Sequence, residues 1–394
     1  MTIPKIFRRA AALILAAIIW VPCVHLLVHS NDAVPTDSGL SVRARELETA
    51  QIALWSDKAA RERSQRQMRL TNPEWDFMGR SYLAWSMANI ALREPSQKKE
   101  CLRVMDEIID DTIATEHREG LYYFLMPYAH DRDFVQQPAG SQFLDGEIAS
   151  MIGMRRVVEE KAAYVAPMRE RLERITRRME ASPSLSAESY PNECWMFCNS
   201  VALDALVLSD YLDHTDHRDL ERRWIDNAKR KLTNPRDGLL ISSYALDGTA
   251  TAGPQGSSIF MVAHCLKIVD PAFAEDQYRR ARRELGKTFV GFGYASEWTS
   301  IWGGPQNVDS GTVISGLDIS PGATGMAALA AASFHDEAYL RSIMAVVDYG
   351  AFPQHREGGV SYLASNQVGD AVLLYALVQG PVWDRVLQGR GGKL

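Results

Sequence analysis

The feature of this sequence that most limits its fold is a regular alternation of two kinds of helical segment. Six segments are apolar on nearly every side, and each is paired with a segment that has one apolar and one charged face. A helix that is apolar all round has to be buried on all sides, whereas an amphipathic helix covers a core with one face. Six inner helices wrapped by six outer helices satisfy both demands, so the sequence predicts an all-α fold, an (α/α)6 toroid or barrel.

The predicted boundaries follow this alternation along the chain. The inner segments cover residues 77–92, 143–158, 198–212, 257–268, 322–334 and 368–378. The outer segments cover residues 96–114, 164–181, 218–232, 272–289 and 336–349, and the charged segment 41–69 would pack beside the last inner helix and close the ring. A turn sequence that recurs about every 120 residues supports repeated hairpins, because each copy precedes an inner segment. The copies are HREGLYYF from His117, PRDGLLISSY from Pro235 and HREGGVSYL from His355.

The N-terminal segment differs from the rest of the chain. Lys5, Arg8 and Arg9 precede an apolar run at residues 10–28, whose helical length of roughly 28 Å would match the core of a bilayer. We predict a transmembrane anchor or signal segment over residues 1–30, a polar linker over 31–40 and the barrel over 41–394. Positive residues before the run place the barrel in the periplasm, either on a single-pass inner-membrane anchor or free after cleavage.

The composition of the chain indicates which kinds of molecule it can bind. Of the 394 residues, 46% are hydrophobic and 23% are charged, and the net charge of -6 provides no basic surface for nucleic acid. No second Cys or His cluster accompanies the cysteines at 194 and 198, so we predict neither a metal nor a cofactor. The cysteines are too few for a disulfide framework in so long a chain; they are Cys23, Cys101, Cys194, Cys198 and Cys265.

Cys194 and Cys198 fall in YPNECWMFCNS, at the start of an inner helix. Three interpretations stay open. The first is a disulfide, which is geometrically poor across one helical turn, and the second is a pair of inert core residues. The third is a catalytic thiol, for which Cys198 at the helix N-terminus is the better placed. The same loop carries Tyr190, Trp195 and Asn199, which we predict to contact substrate together with Cys194.

Loops that precede the inner helices meet at one mouth of such a ring, so we expect the substrate chemistry there. Asp76, Asp145 and Glu147 occupy these positions, and they are candidate catalytic groups because burial raises a carboxyl pKa into the range of a proton donor. Tyr244 is a further catalytic candidate. The loop EWTSIWGGPQNVDSG adds the substrate-binding candidates Trp298, Trp302 and Asp309.

Four stretches of the chain resemble the linalool dehydratase/isomerase family. They are CNSVALDALVLSDYL from Cys198, RDGLLISSY from Arg236, VAHCLKIVDPAFAEDQYRRARRELGKTFV from Val262 and VDSGTVISGLDISPGATG from Val308. The similarity is clearest from about residue 190 to 290. It implies an (α/α)6 barrel, a homo-oligomer with pockets near subunit contacts and a periplasmic location. It also implies cofactor-free removal or migration of a tertiary allylic hydroxyl in a small monoterpene alcohol.

The same resemblance implies roles for individual residues. Cys198 would match one catalytic cysteine of the family and Tyr244 a pocket tyrosine, while Asp76 is nearest to its N-terminal aspartate. The sequence departs from the family pattern at three positions, one of which is Cys194, where an aromatic residue is expected. Ser189 stands where a second catalytic cysteine is expected, and Glu147 stands where the family has a histidine.

Three functions are compatible with these features. We predict acid–base or thiol-assisted dehydration, or hydroxyl migration, on a small apolar alcohol of the allylic or terpenoid class. The alternatives are a carbohydrate-active toroid, with tryptophans as sugar platforms and two carboxylates as acid and base, and a non-catalytic membrane-anchored binding protein. An apolar pocket would favour the first, and a pocket lined by Arg and Asn the second. A closed funnel with a large exposed apolar patch would favour the third.

Overall fold

The computed structural model describes residues 4–28, 39–314 and 316–389. In these ranges, six helices that are buried along most of their length stand side by side. They are α4 (Pro73–Arg93), α6 (Gln142–Val158), α8 (Met196–Leu212), α10 (Gly256–Leu266), α12 (Pro321–Ser333) and α14 (Gln367–Val378). Each packs against the next, and α14 packs against α4, so the inner ring is closed as predicted.

A second layer of helices surrounds this ring. It consists of α2 (Val42–Ser56), α3 (Lys58–Thr71), α5 (Lys98–Glu119), α7 (Val165–Glu180), α9 (Arg218–Lys231), α11 (Pro271–Glu284) and α13 (Glu337–Gly350). Four outer helices pack on the inner helices that precede them, which are α5 on α4, α7 on α6, α11 on α10 and α13 on α12, while α2 packs beside α14 and α3 beside α4. The described part of the chain is therefore an (α/α)6 barrel.

Short strands lie in the connections that lead into the inner helices. β1 (Cys194–Trp195), β2 (Ser243–Tyr244) and β3 (Ala250–Ala252) form one antiparallel sheet, and three two-stranded hairpins complete the set. The repeated turn glycines Gly120, Gly238 and Gly358 all have positive φ, which glycine adopts without steric cost. The hairpins are β4 (Gly286–Phe289) with β5 (Phe292–Ala295), β6 (Asn307–Val308) with β7 (Gly311–Thr312), and β8 (Pro353–Arg356) with β9 (Gly359–Tyr362).

The structure differs from the predicted helices at three points. The segment 41–69 forms two helices, because Asp57 has extended backbone and its side chain caps α3 by accepting a hydrogen bond from Ala60 N. The predicted helix over 272–289 ends at Glu284, and residues 286–289 form β4 instead. A further helix, α15 (Pro381–Gly389), packs against α4, α6 and α8. Its Val382 N donates to Asn89 near the C-terminal end of α4, so α15 covers the end of the barrel opposite the strands.

The predicted N-terminal segment forms α1 (Lys5–Val28). Among the described residues we find no helix that is both long enough and apolar enough to cross a membrane. The predicted transmembrane anchor is therefore not shown. Most of the predicted linker, residues 31–38, lies outside the described residues.

Candidate active site

Two adjoining cavities open at the mouth of the barrel where the inner helices begin. The inner cavity, which we call the chamber, has a volume of about 270 Å³, and the outer cavity, the vestibule, has a volume of about 570 Å³. Both are bordered by Tyr190, Trp195, Gln255, Pro305 and Asp309. A ligand can therefore extend from one cavity into the other.

The wall of the chamber is mainly apolar and aromatic. None of the described residues that line it is Lys, Arg or His. Its volume lies just below the roughly 300–1,000 Å³ of pockets that hold drug-sized ligands, so the chamber suits a small apolar molecule. Its apolar residues include Trp75, Met78, Phe143, Phe197, Val308 and Met326.

Two carboxyl groups reach the chamber from different elements. Glu74 belongs to the first turn of α4, and Asp309 belongs to the turn between β6 and β7. Burial raises the pKa of both groups above the usual range, and the charge of Asp309 raises the pKa of Glu74 further. Because one ionised carboxylate opposes ionisation of the other, the pair retains a proton. It can therefore supply one proton donor and one proton acceptor.

Each of these carboxyl groups has its own tyrosine. Tyr190 Oη accepts a hydrogen bond from Met126 N at 2.9 Å and donates one to Glu74 Oε1. Tyr128 Oη donates to Asp309 Oδ2 at 3.3 Å. The rings of Tyr128 and Tyr190 are stacked, with centroids 4.7 Å apart. The stacking fixes the two tyrosine–carboxyl pairs relative to each other.

The backbone of Asp309 is fastened to the start of α4. Its carbonyl oxygen accepts hydrogen bonds from Asn72 Nδ2 at 2.7 Å and from Trp75 Nε1 at 3.0 Å. Asn72 is also the N-cap of α4, because its Oδ1 accepts from Glu74 N at 2.7 Å. The start of α4 therefore positions both carboxyl groups, Glu74 directly and Asp309 through its carbonyl.

We expect Trp75→Phe to lower kcat/KM roughly five- to tenfold, because it removes a hydrogen bond worth about 1 kcal/mol and keeps the aromatic wall. The measurement is steady-state kinetics on whichever alcohol the protein converts. Trp85→Phe is the matched control, since Trp85 is buried on the same helix and its Nε1 has no hydrogen-bond partner. Equal losses in both variants would contradict a role for the bond to Asp309.

Cys198 lies in the first turn of α8 and borders the chamber with 7% of its surface exposed. Burial raises the pKa of its thiol well above the usual range, although a hydrogen bond with Ser189 opposes the rise. Cys194 and Cys198 are both free, so the disulfide interpretation is wrong. The thiol is neutral at neutral pH and is not a preformed thiolate.

Glu147 lies beneath the chamber and does not line it. It is fully buried in α6, and burial raises its pKa to about 8. It is therefore a neutral acid close to Cys198, whose pKa its charge would raise further. The predicted direct contact between Glu147 and substrate has no support from the lining of the chamber.

Three further residues that we predicted to contact substrate lie behind the wall of the chamber. Cys194 is opposite Tyr244 in the pairing of β1 with β2, and the Tyr244 hydroxyl lies 2.8 Å from Ser186 Oγ. The Asn199 amide binds backbone groups of Ala187, which leaves it little capacity for a ligand. Cys194, Tyr244 and Asn199 are buried and line neither cavity, so the structure contradicts direct contact with substrate.

The structure also contradicts the prediction that Asp145 is a proton donor. Its carboxylate accepts hydrogen bonds from Arg171 at 2.9 Å, from Arg174 at 2.8 Å and from Arg178. Burial alone would raise its pKa, but the three guanidinium groups outweigh burial and lower it. Asp145 is therefore an ionised structural residue between α6 and α7.

The structure also contradicts the predictions that Asp76 is catalytic and that Trp302 binds substrate. Asp76 accepts a hydrogen bond from Arg80 at 2.8 Å, and Arg80 also binds Asp111 at 2.7 Å. This ion-pair network lies away from the chamber. Trp302 is 42% exposed, packs over Gly253 and lines neither cavity. The remaining predicted binding residues do border a cavity: Tyr190, Trp195 and Asp309 border both, and Trp298 borders the vestibule.

The prediction from sequence missed Glu74 and Tyr128 as site residues. A signal for Glu74 was present, because Arg80 follows Asp76 by four residues and a pair at this spacing forms an ion pair on a helix surface. That pairing engages Asp76 and leaves Glu74 as the free carboxyl group of the segment. Tyr128 carried no comparable signal, since its position depends on stacking with Tyr190.

A comparison with models of known protein families shows which family this chain belongs to. The family model described as linalool dehydratase/isomerase matches residues 156–368, which is more than half of the 394 residues. The chain belongs to the linalool dehydratase/isomerase family. The matched range includes Tyr190, Cys198 and Asp309, while Glu74 and Tyr128 lie before it. The family match therefore covers part of the chamber, and the structure adds the rest.

Solved structures share the fold at low sequence identity. A variant of the protein named UGL with the saccharide dGlcA-Glc-Rha-Glc has a TM-score of 0.51 and 11% identity, covering 76% of this chain and 85% of that chain. An inactive variant of the α-1,6-mannanase GH76A of Salegentibacter sp. HEL1_6, in complex with α-1,6-mannotetrose, has a TM-score of 0.50 and 12% identity, covering 78% of this chain and 89% of that chain. These likenesses show a common (α/α)6 fold.

Proposed function

We propose that this protein is a cofactor-independent lyase or isomerase that removes or moves the hydroxyl group of a small allylic alcohol. The observation that carries the proposal is the Glu74–Asp309 pair, two carboxyl groups of raised pKa at an apolar chamber of about 270 Å³. Dehydration needs a donor for the leaving hydroxyl and an acceptor for a carbon-bound proton. Membership of the linalool dehydratase/isomerase family supports the same chemistry.

The reaction starts with Glu74 protonated and Asp309 ionised. Glu74 gives its proton to the hydroxyl oxygen, the carbon–oxygen bond breaks, and water leaves an allylic cation. Asp309 takes a proton from the neighbouring carbon, and the electron pair of that carbon–hydrogen bond becomes the new double bond. The alcohol has become a diene and water, and the proton has moved from Glu74 to Asp309. Proton transfer between the carboxyl groups restores the pair. Return of water at the other end of the allylic cation, with its extra proton passing back to the Glu74 carboxylate, gives the rearranged alcohol.

The chamber stabilises the charged stage of this reaction. Its apolar wall limits the access of further water, which strengthens electrostatic interactions inside it. The Cys198 sulfur borders the chamber as a neutral, polarisable group, so we assign it to contact the cationic carbon. Tyr190 donates to Glu74 Oε1, which leaves the other oxygen of Glu74 free to carry the proton toward the substrate.

A panel of allylic alcohols that includes linalool tests this proposal. We expect the purified full-length chain, kept reduced, to form dienes and rearranged alcohols that gas chromatography resolves. Cys198→Ala should lower the rate roughly tenfold or more, because each 1.4 kcal/mol of lost stabilisation costs a factor of ten. Cys101→Ala is the matched control, since Cys101 is also buried, in outer helix α5, and does not line the chamber. Absence of product from every alcohol would refute the proposal.

One observation favours the second candidate function, a carbohydrate-active enzyme. The vestibule is lined by Trp298, Arg132 and Asn192, which are the residue types that a sugar site would use. The mannanase and the saccharide-bound protein of the same fold make oligosaccharides a rational second panel. Release of reducing ends from an oligosaccharide, with no reaction of any alcohol, would favour this function over dehydration.

Two further expectations belong to the proposal. We expect a homo-oligomer, which size-exclusion chromatography with light scattering measures. We also expect the barrel in the periplasm, held at the inner membrane by the N-terminal segment or released from it. Cell fractionation with protease accessibility tests that location.

A further inference from the structure

We propose that the vestibule is a second subsite, which binds an uncharged polyhydroxylated group, such as a sugar residue, on the same substrate whose apolar part fills the chamber. The inference rests on the proposed function, since it takes the chamber as the site of the reacting alcohol. It narrows the substrate from a free small alcohol to an amphiphilic alcohol that carries a polar head group.

The sizes and continuity of the two cavities support a substrate in two parts. The vestibule, at about 570 Å³, is larger than the chamber, at about 270 Å³. A small alcohol that fills the chamber would leave the vestibule empty. Asp309 and Tyr190 border both cavities, so a hydroxyl that reacts beside them lies at the junction. The rest of the molecule can then project outward.

Trp298 gives the vestibule a fixed aromatic surface. Its Nε1 donates to Pro305 O at 2.9 Å, so the polar atom of the ring is already engaged. The ring lies against Gly304, where an added Cβ would come within 2.1 Å of it. The backbone of the same residue forms a bridge with Gln255. A rigid indole without a free N–H group suits the C–H face of a pyranose ring, because both surfaces are apolar.

The charges around the vestibule favour a neutral head group. Its lining includes the acidic residues Asp131, Glu193 and Asp309 and one basic residue, Arg132. With three carboxyl groups beside a single guanidinium, the lining offers a phosphate or a carboxylate no net positive charge. Burial raises the pKa values of Glu193 and Asp309, which weakens the attraction for a cation. Carboxyl, guanidinium, amide and hydroxyl groups together can accept and donate hydrogen bonds to several sugar hydroxyls.

Calorimetric titration of the full-length chain tests the subsite with two ligands. One is linalool, and the other is linalool that bears a glucosyl group on the methyl carbon next to its tertiary carbon, with the tertiary hydroxyl free, so that the sugar can project into the vestibule while the carbon chain lies in the chamber. We expect the glucoside to bind roughly tenfold more tightly or better, which corresponds to about 1.4 kcal/mol. Trp298→Ala should remove this advantage and leave the Kd for linalool unchanged within about twofold. Trp302→Ala is the matched control, since this tryptophan lies on the same loop outside both cavities.

The outcomes separate this inference from the proposed function. Equal affinity for the two ligands in the unaltered chain would overturn the subsite, as would equal losses in Trp298→Ala and Trp302→Ala. Tighter binding of a phosphate monoester of the same alcohol than of the glucoside would also overturn it. Diene formation measured on the same samples reports on the proposed function alone. If no diene forms but the affinity for the glucoside still depends on Trp298, the proposed dehydratase activity is refuted and the proposed subsite is supported.

Discussion

Glu74→Gln is expected to lower kcat by roughly 10²–10⁴, which is the usual contribution of a positioned general acid. Glutamine has nearly the same shape and can still accept the hydrogen bond from the Tyr190 hydroxyl. It has no acidic proton for the leaving hydroxyl. Steady-state kinetics of diene formation measures the effect, and circular dichroism verifies that the variant is folded.

Glu48→Gln provides the control for this variant. Glu48 lies on outer helix α2, is buried, and like Glu74 has a pKa that burial raises, in its case to about 7. It does not line the chamber, so its replacement should leave kcat unchanged. Equal losses of kcat in the two variants would show that the fall comes from a buried carboxyl group in general and would contradict the assignment of Glu74.

The pH dependence of the unaltered protein bears on the same assignment. Glu74 acts in its protonated form, so kcat should fall as the pH rises through its elevated pKa. Asp309 acts in its ionised form, so kcat should also fall as the pH drops and protonates it. The two limbs report the pair rather than either residue alone. If the residual kcat of Glu74→Gln no longer falls at alkaline pH, the alkaline limb of the pH profile depends on Glu74.

The ring of inner helices could be predicted because its signal is local. A segment that is apolar on all sides is readable from consecutive residues, and burial of six such segments leaves few arrangements. The break at Asp57 was less visible, since charged residues continue on both sides and only a single cap separates the helices. The strand at residues 286–289 was missed because it directly follows the charged helix α11 and is fixed by pairing with β5.

The site could be predicted only to the level of the correct loops. Topology brings Tyr190, Cys198 and Asp309 to one mouth of the barrel, so the loops predicted to meet there do meet around one cavity. Which residue of a loop reaches the chamber depends on the rotation of a helix. Positions two apart on a helix are separated by roughly 200°, so Glu74 enters the chamber while Asp76 faces Arg80. The order of neighbouring residues in the sequence does not contain this rotation.

Asp145 is the case in which a partner outside its own helix decides the role. Arg171, Arg174 and Arg178 lie along one face of α7 at helical spacing and meet Asp145 on α6. The spacing of the three arginines was visible in the sequence. What the sequence did not give is the contact between α6 and α7 that brings the arginines to this carboxylate.

Asp145→Ala is accordingly expected to lower the free energy of unfolding by about 3–5 kcal/mol, because removing one partner of a buried ion pair leaves the others uncompensated. The side chains of Arg171 and Arg178 are only 5% and 6% exposed, so water cannot replace the lost carboxylate. Urea denaturation of the full-length chain measures the change.

Asp219→Ala is the comparison for this variant, since Asp219 forms ion pairs with Arg222 and Arg223 on the exposed face of α9. Screening by solvent makes such pairs weak, and we expect no measurable change in stability. The activity of Asp145→Ala per folded molecule should equal that of the unaltered protein. If Asp145→Ala leaves the free energy of unfolding unchanged and lowers kcat strongly, Asp145 is the catalytic acid. The assignment of that role to Glu74 would then be wrong.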